Sequence, residues 1–210
     1  MKKRWIMITA LVGIFLIGAV SVGPIMSNVE TPKYELVTSE RNIDVRRYDS
    51  MIIAEVEMNG PRADAIRNGF LVLAQYIFGN NLSKQGLEMT APVQQQGCTK
   101  IPMTAPVQQQ STGNYWKISF IMPSEHTMET IPKPLNDLVT IKKIPSKTFA
   151  VIAFSGTNSD ENIKDHENQL MKYVSANNLS LIDTPKYAFY NPPWTLPSMR
   201  RNEVMVEIQD

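Results

Sequence analysis

The side chains able to do chemistry are few and scattered. The 210-residue chain holds one cysteine, Cys98, and two histidines, His126 and His166. A nucleophilic cysteine needs a base and a polar orienter beside it, and Cys98 has neither among its sequence neighbours. A lone thiol also forms no internal disulfide. His166 stands between Asp165 and Glu167, and His126 follows Pro123, Ser124 and Glu125, as surface histidines do. Paired carboxylates, a glycine-rich phosphate loop, a Cys/His metal cluster and a serine elbow are all missing. The expectation is a binding protein, not an enzyme. Glu203 is the carboxylate to follow, because Arg200, Arg201 and Asn202 lead into it and Val204 continues a strand-like run. Two roles are open to it: facing a cavity to neutralise a cationic ligand, or pairing with Arg200 or Arg201.

The elements that must position these groups show in the hydrophobic periodicity. Residues 62–78 are helical, with Ala63, Ile66, Phe70, Leu73 and Ile77 recurring at three- and four-residue spacing. Gly60 and Pro61 precede this helix, and Gly79, Asn80 and Asn81 close it. It is apolar on more than one side, since Phe70, Leu71, Val72, Leu73, Ala74 and Tyr76 leave almost no polar face. A helix lying on one sheet needs an apolar stripe of only about 100°. The surplus either lines a groove for a flat hydrophobic ligand or is buried between sheet and loops. A second helix follows Asn158, which caps it while Glu161 reaches back, and Ile163, Leu170, Met171 and Val174 form its buried stripe. Strand-like runs occupy 34–48, 51–58, 115–122, 139–143, 148–155, 180–190 and 202–208.

One octapeptide, Met-Thr-Ala-Pro-Val-Gln-Gln-Gln, occurs twice, at 89–96 and 103–110. Two copies do not make a solenoid. They read as extended segments joined by a turn at 97–100, and the proline in each favours a bulge or an edge strand. The strand–helix–strand order recurs. It implies an α+β fold: a distorted antiparallel β-barrel built from two βαββ-like halves, with two helices packed on it.

The N-terminus bears on compartment. Lys2, Lys3 and Arg4 are followed by residues 5–23 without a charge. Nineteen helical residues reach roughly 28 Å, close to the hydrocarbon thickness of a bilayer. Residues 1–29 read as a signal peptide, with Ala19 and Ser21 around a small-residue cleavage site, or as a membrane anchor. Either places residues 30–210 outside the cytoplasm, in the periplasm, secreted or tethered to the inner membrane. No acid precedes Glu30, so the remainder carries 18 basic against 20 acidic groups. That balance gives a nucleic acid nothing to hold.

Several runs resemble the SOUL heme-binding protein family. They are the segment from Tyr34, Glu35 and Leu36 to Tyr48; Phe70 with Tyr76 to Asn81; the Met-Thr-Ala-Pro-Val copies; and Tyr190 to Trp194 with Arg200 to Val204. The resemblance spans roughly 31–210 and is most similar to the bacterial exported branch. It implies a two-helix antiparallel barrel related to the gyrase-inhibitor type of small-molecule-binding domain, and a heme or other tetrapyrrole as ligand. The resemblance places the ligand on the first helix facing the loop before the last strand. Arg67 then falls where an arginine pairs with a propionate, and Phe70 where a large apolar residue meets the ring. Leu71 and Ala74 share that helix, while Tyr190 and Trp194 belong to the loop. Gln75 and Thr195 stand where relatives carry basic residues. Heme iron takes His, Met, Cys or Tyr, but neither histidine matches a family ligand position, so apolar contact is expected to hold the ligand. In the gyrase-inhibitor relatives a glutamate meets cationic ligands, which adds Glu203 to the candidates. The alternatives are a module for another small hydrophobic or cationic molecule, and an envelope protein-interaction scaffold whose doubled octapeptide offers an exposed strand edge.

Overall fold

The computed structural model describes residues 29–83 and 98–209. In chain order the elements are β1 (Tyr34–Glu40), β2 (Ile43–Tyr48), β3 (Met51–Asn59), α1 (Arg62–Ile77), β4 (Asn81–Leu82), β5 (Val107–Ser111), β6 (Tyr115–Ile121), β7 (Lys133–Pro134), β8 (Thr140–Ile144), β9 (Lys147–Phe154), α2 (Asp160–Ala176), β10 (Lys186–Phe189) and β11 (Asn202–Ile208). Nine strands form one curled antiparallel sheet, a half-barrel, in the order β1-β2-β9-β11-β10-β5-β6-β3-β8. The expected α+β architecture with two helices is therefore present.

The pairing register decides what faces what. Residues opposite each other on neighbouring strands project to the same face. One cross-sheet row runs Val56, Ile118, Gln109, Tyr187, Val204, Ile152 and Ile43. Val56 and Ile118 pack with Leu73, Tyr76 and Ile77 of α1. Ile152 and Val204 pack with Ile163, Leu170 and Val174 of α2. Both helices therefore cover one face. The neighbouring row, Glu55, Ser119, Gln108, Ala188, Glu203 and Ala153, belongs to the other, helix-free face.

Several expectations shift in detail. The single run at 34–48 is a hairpin, turned at Arg41, which takes the left-handed conformation at φ 57°. The turn is Arg41 and Asn42, and Asn42 is the turn signal that alternation alone runs through. β1 is exposed along its whole length and its register slips between Leu36 and Thr38, a bulged edge. Of 180–190 only Lys186–Phe189 is strand, with an isolated bridge between Leu181 and Ile208; Pro185 has no N–H to give to a ladder. Helix α2 is capped by Ser159, whose hydroxyl accepts from Asn162 N, and not by Asn158. The second octapeptide copy ends in β5, paired on one side with β6 and on the other with β10. It is a central strand with no free edge, because Pro106 falls just before the ladder begins. The first copy, at 89–96, lies outside the described residues, as do the leader at 1–28 and its proposed span.

Gly69 shows how closely α1 approaches the sheet. A Cβ there would stand 2.8 Å from Ile118 Cδ1 and 3.1 Å from Val56 Cγ2, and both partners are buried. Alanine would improve helix propensity by about 1 kcal/mol, but overpacking a filled core costs typically about 1–3 kcal/mol. Gly69→Ala is expected to lower the chemical-denaturation midpoint, and adding Ile118→Val, which removes the clashing Cδ1, to recover part of the loss. Equal midpoints for wild type and Gly69→Ala would show that the contact is slack.

Candidate functional site

Helix α1 divides its apolar residues between two directions. At about 100° per residue, Ala65, Gly69, Leu73, Tyr76 and Ile77 point to the sheet and are buried. Arg67, Phe70, Leu71, Ala74 and Phe78 fall within an arc of about 100° on the opposite side. On that side Phe70, Leu71 and Phe78 are 37%, 54% and 65% exposed, while the small Ala74 is covered. The Phe70 ring also meets Phe120 edge-on, with centroids 5.4 Å apart. Arg67 is exposed and makes no ion pair among the described residues. The surplus apolar surface thus faces solvent as a stripe with a cation beside it.

The loop between β10 and β11 starts on the same flank. Phe189 pairs with Val107 and Val107 with Phe120, the residue that Phe70 touches. Arg200 holds this loop, donating from Nε to Thr195 O at 2.8 Å and from Nη2 to Pro193 O at 2.5 Å. Gly156 N donates to Pro197 O at 2.8 Å. Trp194 does not pin the loop to the core: it is 67% exposed, and Leu196 and Met199 are exposed beside it. Arg200 is a loop strut and not a partner of Glu203.

Tyr190 and Glu203 belong elsewhere, on the helix-free face. Glu203 is wholly buried on β11. Its Oε1 accepts from Arg46 Nη1 at 2.9 Å and from Arg201 Nη2 at 2.7 Å, and its Oε2 accepts from Tyr190 Oη at 2.7 Å. Arg46, on β2, also donates to Asp44 Oδ2 at 2.6 Å and to Tyr48 Oη at 3.3 Å. Its guanidinium lies 4.7 Å from the centre of the Tyr34 ring, and that of Arg201 lies 4.1 Å from the Tyr190 ring. Burial alone would lower the Arg46 pKa, but the Glu203 carboxylate more than reverses this and raises it. Burial, followed by the Glu203 charge, pushes the Tyr48 hydroxyl up to about 12 and Tyr190 higher still. A carboxylate held by two arginines and a tyrosine is already neutralised and offers no free charge to a cationic guest. Sequence reading anticipated the Arg201 pair but missed Arg46. The available signal was the alternation of β2, which puts Asp44, Arg46 and Tyr48 on one face and Ile43 and Val45 on the other.

The histidines are likewise engaged. His166 stacks on Phe154 with centroids 4.1 Å apart, and its Nδ1 lies 2.8 Å from Asn162 O. His126 lines a cleft of about 510 Å³ with Lys33, Met51, Met122 and Lys143. Among the described residues no three His, Cys, Asp or Glu side chains group as metal ligands.

A curled antiparallel sheet with both helices on one face, and an apolar helix surface left open to solvent, defines an α+β half-barrel protein. The SOUL heme-binding protein model matches residues 29–207, and the chain belongs to that family. It is 26% identical over 160 residues to heme-binding protein 1 of Xenopus tropicalis, covering 76% of this chain and 80% of that one. Among solved structures, the EcmrR C-terminal domain is similar at TM-score 0.53 and 13% identity, covering 84% of this chain and 98% of that one. A hydrolase from Listeria innocua is similar at TM-score 0.51 and 10% identity, covering 82% and 94%. At such identities these two likenesses concern the fold alone.

Breaking the Glu203 network should be costly. Removing one partner of a buried ion pair typically costs about 3–5 kcal/mol, and Arg46 keeps Asp44 here. Glu203→Gln should therefore destabilise by about 3 kcal/mol, near the low end of that range. Glu203→Gln with Arg46→Met, which removes both charges, should lie closer to wild type than the single variant. Urea melts decide this, and additive losses would show that the two charges are not coupled.

Proposed function

We propose that this chain is an exported tetrapyrrole-binding protein that takes its ligand against the outer face of α1, by apolar contact and without an axial histidine. The observation that carries the reading is the exposed stripe of Phe70, Leu71 and Phe78 beside Arg67. Soluble domains seldom leave contiguous large apolar side chains in water unless something covers them. A porphyrin face suits such a stripe, and Arg67, which makes no ion pair among the described residues, can offer its guanidinium to a propionate. Trp194 is exposed in the loop that starts on the same flank and is the aromatic side chain that loop offers a ring. Membership of a heme-binding family supports the ligand class, and heme-binding protein 1 carries the same description. The family is described as heme-binding, which supports reading this chain as a binding protein and not an enzyme.

Hemin added to the purified protein should shift the Soret band and quench tryptophan fluorescence with saturation. The double variant Phe70→Ala, Leu71→Ser removes apolar contact of roughly 1–2 kcal/mol per residue, about 30- to 900-fold in affinity for the pair. Arg67→Ala should weaken binding of hemin more than that of a porphyrin lacking propionates. No saturable spectral change at micromolar hemin, or unaltered affinity in the double variant, would refute the site.

Export rests on Lys2, Lys3 and Arg4 followed by the uncharged residues 5–23. Alkaline phosphatase fused after residue 30 should be active in bacteria, because that enzyme folds only outside the cytoplasm. An inactive, stably expressed fusion would remove this part of the reading.

A further inference from the structure

The helix-free face carries a second pocket of different chemistry. A cavity of about 90 Å³ opens between β5, β6, β9 and β10, with Lys117, Lys186, Gln108 and Ser119 in its wall. Register fixes their grouping. Lys117, Gln110 and Lys186 oppose one another across three adjacent strands, and Ser119 and Gln108 oppose each other two residues along. Strands about 4.8 Å apart put the two lysine backbones roughly 10 Å from each other, so both ammonium groups can reach one point between them.

All four groups can donate a hydrogen bond. Among the described residues, no side chain forms an ion pair or hydrogen bond with the lysines, with the Gln108 amide or with the Ser119 hydroxyl. Glu55, which lines the same pocket, accepts at Oε1 from Lys142 Nζ at 2.5 Å, and Glu207 Oε2 accepts from Lys147 Nζ, another lining residue, at 2.7 Å. Asp183 attracts Lys186 and Lys117 only from a distance. Lys117 lies 5.9 Å from the Tyr115 ring centre and Lys186 lies 5.2 Å from that of Phe149. Those are weak substitutes for a counter-ion. Burial consequently lowers the Lys186 pKa, despite the opposing pull of Glu207. A half-buried charge without a counter-ion among the described residues costs some free energy that an anion in contact would offset.

Phe149, Met205 and Ile144 give the wall an apolar side, and Glu55, Lys147 and Gln110 also line it. The cavity equals about three waters' share of liquid volume. A tetrahedral oxyanion would leave its outer oxygens against Phe149 and Met205, whereas a short carboxylic acid matches both halves. We propose that this pocket binds a small monocarboxylate, its oxygens taken by Lys186, Lys117, Gln108 and Ser119 and its short chain lying on Phe149, Met205 and Ile144. The pocket is on the opposite face of the sheet from α1, so it stands or falls independently of the tetrapyrrole reading.

The test is calorimetric titration of the full-length chain in detergent with sodium butyrate, then with sodium phosphate at equal ionic strength. Butyrate should bind saturably at one site per chain. Lys186→Met and Lys117→Met should each weaken it at least tenfold, and Lys172→Met, on α2, should leave it unchanged. If Lys186→Met fails to melt cooperatively, the wild type labelled with ¹³C-methyl on its lysines replaces it, and butyrate should move the Lys186 resonance. No butyrate heat, unchanged affinity in both lysine variants, or an unmoved Lys186 resonance overturns the proposal. Phosphate binding as tightly as butyrate overturns the carboxylate assignment.

Discussion

The unbroken ladder from β1 to β8 is the constraint on which the molecule depends. Side chains on a strand alternate with period two, so one register error would send a whole row to the wrong face. Here rows of paired residues run across the sheet through three central strands, β11, β10 and β5. Val56, Ile118, Val204 and Ile152 therefore end up under helices, while Glu55, Ser119, Gln108 and Glu203 share the open side. The short strand β10 joins the half that carries α1 to the half that carries α2.

The two faces use different physics. Under the helices the core is aliphatic and closely fitted, with Gly69 admitting α1 to Ile118 and Val56 at a distance no Cβ would allow. On the open face the sheet buries charge. Arg46 and Glu203 are 157 residues apart in sequence, and their contact is favourable only because Asp44, Tyr48, Tyr190 and Arg201 satisfy the remaining donors and acceptors. Such a network contributes less to net stability than an apolar core of equal volume. It does specify which strands lie side by side, because a slipped register would strand a buried carboxylate.

The same division separates the ligand chemistries. The outside of α1 offers a flat ring an apolar surface with one arginine, in a family of heme-binding proteins. The open face closes its central glutamate and carries, on β10 and β6, two lysines without an ion-pair partner among the described residues. A hydrophobic planar ligand and a small anion would therefore have no residue in common. In the tetrapyrrole reading, Tyr190 and Glu203 brace the loop that carries Trp194 from behind, through Arg201 and β11, and do not touch the ligand.

Sequence by itself determined the helices, most strands, the α+β class and the presence of too much apolar surface on α1. Each is local: period 3.6, period 2, and stop signals at Gly60, Pro61 and Gly79 are written within a few residues. It also supplied the family, through motifs spread from Tyr34 to Glu203. Tertiary structure decided the rest. Only pairing order could place Arg46 against Glu203, turn Tyr190 to the face opposite Phe70, make β5 a central strand, and bring Lys186 and Lys117 to one pocket. Those outcomes depend on contacts between residues far apart in the chain. No local periodicity encodes which strand will be a strand's neighbour, because the ladder's backbone hydrogen bonds are the same for any sequence.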